Sequence, residues 1–130
     1  MPYLQLDTTG PLAPAIKQEI MTRLCRLYAE VMQTQTWRPN VAIRELGAGN
    51  IGRLGAGGLE PVAMVLAEIR RGRSADDRLK LARGIAEICA PLLGLPPERV
   101  LVEFTVHSGD EMYREGKWVG EWNPAEGKAA

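Results

Sequence analysis

Apolar residues recur at helical spacing in two stretches of the chain, residues 14–32 and 75–93. In each stretch the successive apolar positions are separated by four, three and four residues, which places them on one face of a helix. These positions are Ile20, Leu24, Leu27 and Val31 in the first stretch, and Leu81, Ile85, Ile88 and Leu92 in the second. The second set follows the first at one constant shift along the chain, the shift from Ile20 to Leu81, so the pattern predicts two helices in a repeated unit. Two residues related by this shift are named repeat counterparts.

Short strand-like runs flank both predicted helices. They cover residues 2–7, 41–46, 61–69 and 99–106. At the start of the second helix, Ser74 and Asp77 have the spacing of a capping box, in which the two residues satisfy free backbone N–H groups of the first turn. The chain therefore has the predicted order strand–helix–strand, twice over.

This order predicts a single domain of residues 1–130 made of two consecutive β-α-β units, about residues 2–54 and 61–107, and a tail of residues 108–130. Each parallel strand pair needs a helical crossover. Two such units can join in one four-stranded sheet with both helices on one face, a two-layer α/β (α+β) architecture. Residues 61–66 are apolar on both faces, so we expect a second subunit to cover the bare face of the sheet.

Composition and charge exclude several classes of partner. Sixteen basic residues balance sixteen acidic ones, so no overall field favours nucleic acid or a membrane surface. A single histidine argues against a histidine-rich metal site, and two cysteines do not make a disulfide scaffold. No apolar run approaches about 18 residues, and the chain opens without a signal-peptide pattern. We expect a cytoplasmic protein.

A glycine-rich stretch at residues 47–58 contains the spacing G-x-G-x-x-G at Gly47, Gly49 and Gly52. In dinucleotide-binding proteins this fingerprint opens a helix, whose N-terminus holds the pyrophosphate. Here no helical period follows it, and three more glycines come soon after. The stretch predicts a flexible loop between the two units, and no cofactor is expected.

An arginine-rich turn, residues 69–74, joins the third predicted strand to the second helix. Its arginines can lie in solvent around the bend at Gly72. Alternatively, Arg70 and Arg73 can point into a site at the end of the strand, where open sheets usually bind ligands. The planar guanidinium group holds a carboxylate with two parallel hydrogen bonds. Further along, Trp118 and Trp122 are expected to anchor the C-terminal tail.

Five segments, in this order and at these spacings, are similar to the tautomerase superfamily, nearest to its cis-3-chloroacrylic acid dehalogenase-like branch. The segments are MPY (1–3), TQTWRPNV (34–41), AGN (48–50), RRGRSAD (70–76) and VLVEF (100–104). The resemblance covers nearly the whole chain. It implies the doubled β-α-β fold, a homotrimer, a small carboxylate substrate and no cofactor or metal.

The resemblance also implies roles for single residues. The catalytic amino-terminal proline of the family falls on Pro2, and the two arginines that bind the substrate carboxylate fall on Arg70 and Arg73. Removal of Met1 would leave Pro2 with a free secondary amine, which burial or nearby guanidinium groups would keep neutral for general acid–base work. Arg38 is a further candidate for substrate binding.

Other positions depart from the dehalogenase pattern. Tyr28 stands where that enzyme has a substrate-binding histidine, and Glu103 stands where it has a tyrosine. Its water-activating glutamate falls on Arg114, although a shift of one residue would place Glu115 there. These differences favour a keto–enol tautomerase, an isomerase of small 2-oxo and 2-hydroxy-enoic acids. The alternatives are a hydratase or dehalogenase of 3-haloacrylates, which needs a carboxylate against water, and a non-catalytic protein on the same scaffold.

Overall fold

Two long helices and eight strands account for most of residues 2–128, the part of the chain described by this computed structural model. The helices are α1 (Pro14–Met32) and α2 (Ala75–Leu93). The strands are β1 (Tyr3–Thr8), β2 (Asn40–Glu45), β3 (Arg53–Gly55), β4 (Gly58–Glu60), β5 (Ala63–Arg70), β6 (Val100–His107), β7 (Tyr113–Arg114) and β8 (Lys117–Trp118). Short 3-10 turns span Pro97–Arg99, Gly109–Glu111 and Pro124–Lys128. None of the helices described is long and apolar enough to cross a membrane.

Four strands form the main sheet, in the order β2-β1-β5-β6. The outer pairs, β1 with β2 and β5 with β6, are parallel, whereas the central pair of β1 and β5 is antiparallel. Alternate residues of β1 and β5 point toward the helices and join them in one apolar core, among them Leu4, Leu6 and Val65, which are fully buried. This two-layer arrangement of two β-α-β units confirms the predicted fold class.

The constant shift seen in the sequence is also present in the sheet. Tyr3 lies opposite Asn40 in the first parallel pair, and their repeat counterparts, Met64 and Leu101, lie opposite each other in the second. In the central pair, Gln5 lies opposite Leu66, which is its own repeat counterpart. An approximate twofold axis therefore passes between β1 and β5 and relates the two halves of the chain.

The buried face of α1 differs from the predicted one in its second half. The buried row takes every fourth residue: Ile20, Leu24, Tyr28 and Met32. Leu27 is only partly buried because it packs against the other helix, where a Cβ added to Gly84 would lie 2.6 Å from Leu27 Cδ1. The close approach of α1 and α2 thus turns Tyr28 toward the sheet, at the end that carries the start of β1.

The glycine-rich stretch is more ordered than the predicted loop. Its second half forms a hairpin of β3 and β4, in which Arg53 pairs with Glu60 across the strands and through an ion pair of 2.7 Å. No helix begins within residues 47–58. The difference arises because a complementary charge pair closes the hairpin, a contact that glycine content alone does not indicate.

Candidate active site

One pocket brings together six of the eight site residues predicted from the sequence. It lies where the start of β1 meets the end of β5. Its walls are Pro2, Tyr28, Thr34, Arg38, Arg70, Arg73, Met112 and Arg114. Four arginines on one small pocket make it strongly electropositive, so its chemistry is suited to an anion.

The central strand pair positions Pro2. Because β1 and β5 are antiparallel and Tyr3 lies opposite Glu68, the residue before Tyr3 comes next to the C-terminal end of β5. Asn40 fixes it further, since both its backbone N–H (2.9 Å) and its side-chain amide (3.3 Å) donate to the Pro2 carbonyl oxygen. Pro2 is buried, and its ring is held at one end of the sheet, beside the arginine-rich turn.

The turn after β5 sends two of its arginines inward and one outward. Gly72 has a φ of +126°, a left-handed value that glycine adopts readily. Arg70 and Arg73 are each only 8% exposed, whereas the side chain of Arg71 is 62% exposed. Arg73 is anchored by its Nε, which donates to the Met32 carbonyl oxygen at 3.0 Å. These exposed fractions rule out the interpretation that the side chains of Arg70 and Arg73 lie in solvent.

Burial and charge affect the titratable groups around the pocket. Burial raises the pKa of Tyr28 to about 12, against the opposing effect of Arg73 and Arg70, so the phenol stays protonated and can donate a hydrogen bond. Burial lowers the pKa of Arg73, and the nearby Arg70 lowers it further. The environment thus disfavours additional positive charge.

Arg38, which lines this pocket, has an unmet donor. Its Nε is buried and has no hydrogen-bond partner among the described residues. Its guanidinium group lies over the Trp37 ring at 4.3 Å, which holds the plane in place. A buried donor without an acceptor costs free energy, and an anion in the pocket would relieve that cost.

Two predicted residues, Glu103 and Glu115, lie outside the pocket. Glu103 lies opposite Leu66 in the sheet and is exposed on the face away from the helices. Glu115 is exposed in the turn between β7 and β8, with a φ of +55°. Its neighbour Arg114 faces the pocket instead, because successive residues of a hairpin point to opposite sides. In the single chain neither glutamate meets Pro2.

The sequence did not indicate every residue of the pocket. Thr34 and Met112 line it, and two residues of the C-terminal tail contact its arginines: Trp122 lies against Arg73, and Glu126 pairs with Arg70. For Met112 the repeat offered one signal. Its repeat counterpart is Ile51, so an apolar residue occurs at the same place after the last strand of each β-α-β unit. The tail contacts join residues that lie far apart in the sequence, and no local pattern reveals them.

A larger cavity lies at the twofold-related place in the sheet. It has a volume of about 600 Å³ and is lined by the glycine-rich stretch. Its walls are Thr9, Ala48, Gly49, Asn50, Ile51, Gly52, Leu59, Glu60 and Pro61. Thr9 and Ile51 are the repeat counterparts of Arg70 and Met112, so the two pockets are related places with different side chains.

No protein-family model and no curated protein matches the chain. Among solved structures, the N1 protein of the cis-3-chloroacrylic acid dehalogenase (cis-CaaD) family is 24% identical, with 92% of this chain and 84% of that one covered and a TM-score of 0.81. Pt0534 inactivated by 2-oxo-3-pentynoate is 21% identical (88% and 93% covered, TM-score 0.77). A fused 4-OT solved as an asymmetric trimer is 19% identical (90% and 95% covered, TM-score 0.80). These likenesses confirm the fold that the sequence resemblance implied: the chain has the tautomerase fold.

Proposed function

We propose that the protein is an isomerase that uses the amine of Pro2 to move a proton between the enol oxygen and C3 of a small 2-hydroxy-2-enoic acid. One observation supports this most strongly. Pro2 is buried in a pocket with four arginines, one of which has an unmet Nε donor. The proposal requires the removal of Met1, which lies outside the described residues.

The chemistry follows from the charge around Pro2. Cationic neighbours disfavour a second positive charge, so the secondary amine is neutral and basic near neutral pH. It takes the proton of the enol hydroxyl, and the electron pair of the O–H bond stays on the oxygen of the resulting enolate. As that pair forms the C2 carbonyl, the π electron pair of the C2–C3 double bond takes a proton at C3 from the prolinium N–H, which restores the neutral amine and gives the 2-oxo acid.

The other pocket residues supply binding and charge stabilisation. Arg70 and Arg73 hold the substrate carboxylate, for which the forked guanidinium group is well shaped. Arg38 donates through its unmet Nε to the oxygen that becomes anionic in the transition state. Tyr28 is a neutral donor to the same oxygen because its pKa is about 12. Arg114 adds positive charge at the rim.

The position of the glutamates favours isomerisation over water addition. Hydration or dehalogenation needs a carboxylate that activates water beside the substrate. Neither Glu103 nor Glu115 lines the pocket, and Arg114 faces it where the dehalogenase pattern has an acid. The arginine in that place supports anion binding and provides no base.

We also propose that the protein is a homotrimer. The sheet face away from the helices is uncovered and carries Tyr3, which is 40% exposed, and a fused 4-OT of the same fold was solved as a trimer. Two hairpins add exposed apolar side chains: Leu54 and Leu59, and Tyr113 and Trp118. Light scattering is expected to give three times the chain mass of 14.3 kDa, and a monomer would refute this part of the proposal.

The decisive experiment replaces Pro2. The protein is purified without an N-terminal tag, and intact mass establishes that Met1 is absent. Ketonisation of phenylenolpyruvate is then followed for wild type, Pro2→Ala and the control Pro97→Ala, which changes an exposed proline far from the pocket. We expect Pro2→Ala to lower kcat/KM by at least about 100-fold, the usual contribution of a general acid–base group. Turnover at the wild-type rate in Pro2→Ala would refute the mechanism.

A further inference from the structure

An arginine of the proposed substrate site already holds a carboxylate. Glu126 Oε2 lies 2.6 Å from Arg70 Nη2, and the other terminal nitrogen of Arg70 donates to the Gly120 carbonyl oxygen at 2.8 Å. The Arg70 side chain is 9% exposed and that of Glu126 is 22% exposed, so the pair is largely shielded from water. A substrate carboxylate and the Glu126 carboxylate therefore need the same donors.

The tail also covers the second arginine. The Trp122 ring lies over the Arg73 guanidinium group at 4.6 Å, and its indole N–H points to the Gln33 carbonyl oxygen at 3.5 Å. The ring rests on the turn itself, because a Cβ added to Gly72 would lie 3.2 Å from Trp122. Residues 121–128, named here the strap, thus contact both Arg70 and Arg73, two of the residues that line the pocket.

Packing holds the strap weakly compared with these polar contacts. None of residues 121–128 is buried, and Glu126 is tied down outside the pocket by one side-chain bond, from Gln35 to its carbonyl oxygen at 3.3 Å. Segments with few buried apolar contacts open locally at low free-energy cost. At its other end the strap is bound outside the pocket, where Glu121 accepts from Arg71 at 3.1 Å and from the Gly109 N–H at 3.0 Å. An anion that takes Arg70 therefore releases the Glu126 end of the strap and leaves the Glu121 end attached.

We propose that the strap is an internal competitor for the substrate, in which Glu126 occupies the carboxylate subsite of Arg70 until a carboxylate displaces it. This rests on the proposed function only in assigning Arg70 to carboxylate binding. The apparent affinity for a carboxylate is then reduced by the fraction of molecules in which the strap is closed. The strap admits small anions and excludes neutral analogues, which cannot replace Glu126 on the guanidinium group.

Binding of benzoate, a carboxylate without an enol proton to transfer, tests this without relying on turnover. Titration calorimetry compares wild type, Glu126→Gln and Glu98→Gln. The last is a matched control for charge, since Glu98 is exposed just before β6, at the end of the sheet opposite Arg70, and is not part of the strap. Because a charge-assisted hydrogen bond is lost from the closed state, we expect benzoate to bind Glu126→Gln about tenfold more tightly, and Glu98→Gln as wild type.

Hydrogen exchange supplies the second readout. Saturating benzoate is expected to speed amide exchange in residues 121–128 of wild type, while benzamide, its neutral analogue, leaves exchange unchanged. Benzoate binding by Glu126→Gln that is equal to or weaker than that of wild type would refute the proposal that the strap competes with the substrate. Slower amide exchange in the strap with benzoate would refute it as well. Neither result would affect the proposed role of Pro2. If benzoate binds none of the three proteins, the carboxylate subsite itself is wrong and the strap proposal falls with it.

Discussion

The two ends of the sheet that the twofold axis relates have the same backbone geometry and different chemistry. At one end lies the pocket of Pro2, and at the other the cavity of the glycine-rich stretch. The repeat counterparts carry different side chains: Arg70 corresponds to Thr9, Arg73 to Leu12, Tyr28 to Cys89, and Pro2 to Ala63. A duplicated fold repeats the location of a site, but only the strand at the start of the chain can supply a terminal amine.

Charge pairing separates the two ends further. Arg99, the repeat counterpart of Arg38, is neutralised by Glu60 at 2.9 Å, and Glu60 is also bound by Arg53. The hydrogen bond from Arg53 lowers the pKa of Glu60, with Arg99 contributing, so this acid remains ionised. Arg38 has no such acid at its Nε among the described residues. An anion is expected at the Pro2 end only, because there the arginines exceed the carboxylates.

Among the variants that compare the two ends of the sheet, Arg73→Ala is expected to have the largest effect on kcat/KM. Loss of a preorganised donor to the substrate is expected to lower kcat/KM by about 100-fold. Arg71→Ala is the matched control, since Arg71 lies in the same turn but faces solvent. Thr9→Ala tests the twofold-related end. Both control variants are expected to stay within about twofold of wild type in phenylenolpyruvate kinetics, and a similar loss in either would contradict the assignment of the site to one end.

A smaller effect is expected from Tyr28→Phe, which removes only a hydroxyl. The neutral phenol donates one hydrogen bond to the reacting oxygen, so its loss is expected to lower kcat by about tenfold. The free energy of unfolding in urea should change little. At the equivalent position, Cys89→Ala is expected to lower stability and leave kcat unchanged. Unchanged kcat in Tyr28→Phe would remove the phenol from the mechanism.

The smallest effect concerns alkaline stability. Burial raises the pKa of Cys89 to about 12, so the thiol ionises in the unfolded chain, above about pH 9, long before it does in the folded one. The free energy of unfolding therefore falls as pH rises beyond 9, by about 1 kcal/mol at pH 10 from this group. Urea unfolding at pH 7 and pH 10 should show a smaller fall in Cys89→Ala. An identical fall in both proteins would contradict the buried thiol as its cause.

The local pattern of the sequence predicted the helices well, for reasons visible at their ends. Pro14 begins α1, and the Ser74 hydroxyl accepts from Asp77 N–H at 3.1 Å at the start of α2, which ends before the left-handed Gly94. These signals act within four residues. Strand ends shifted by one or two residues, because pairing with a neighbouring strand sets them.

Local sequence patterns did not predict the long-range contacts. The ion pair of Arg70 with Glu126 joins residues 56 positions apart, and nothing near either residue indicates the other. The choice between Arg114 and Glu115 depended on which side of the β7–β8 hairpin faces inward, and a one-residue shift reverses that side. The sequence therefore indicated Pro2, the arginine turn and a tail anchored by Trp122, but neither the ion pair of Arg70 with Glu126 nor the orientation of this hairpin.

Covalent labelling with 2-oxo-3-pentynoate tests the central claim most directly, because Pt0534, which has the same fold, was inactivated by this compound. Its electron-poor alkyne adds a neutral amine, and burial raises the pKa values of the competing Cys25 and Cys89 thiols. Peptide mass spectrometry of the inactivated protein is expected to find one adduct per chain, on Pro2. Inactivation with the adduct on another residue, or an N-terminus that still carries Met1 in active protein, would contradict the account.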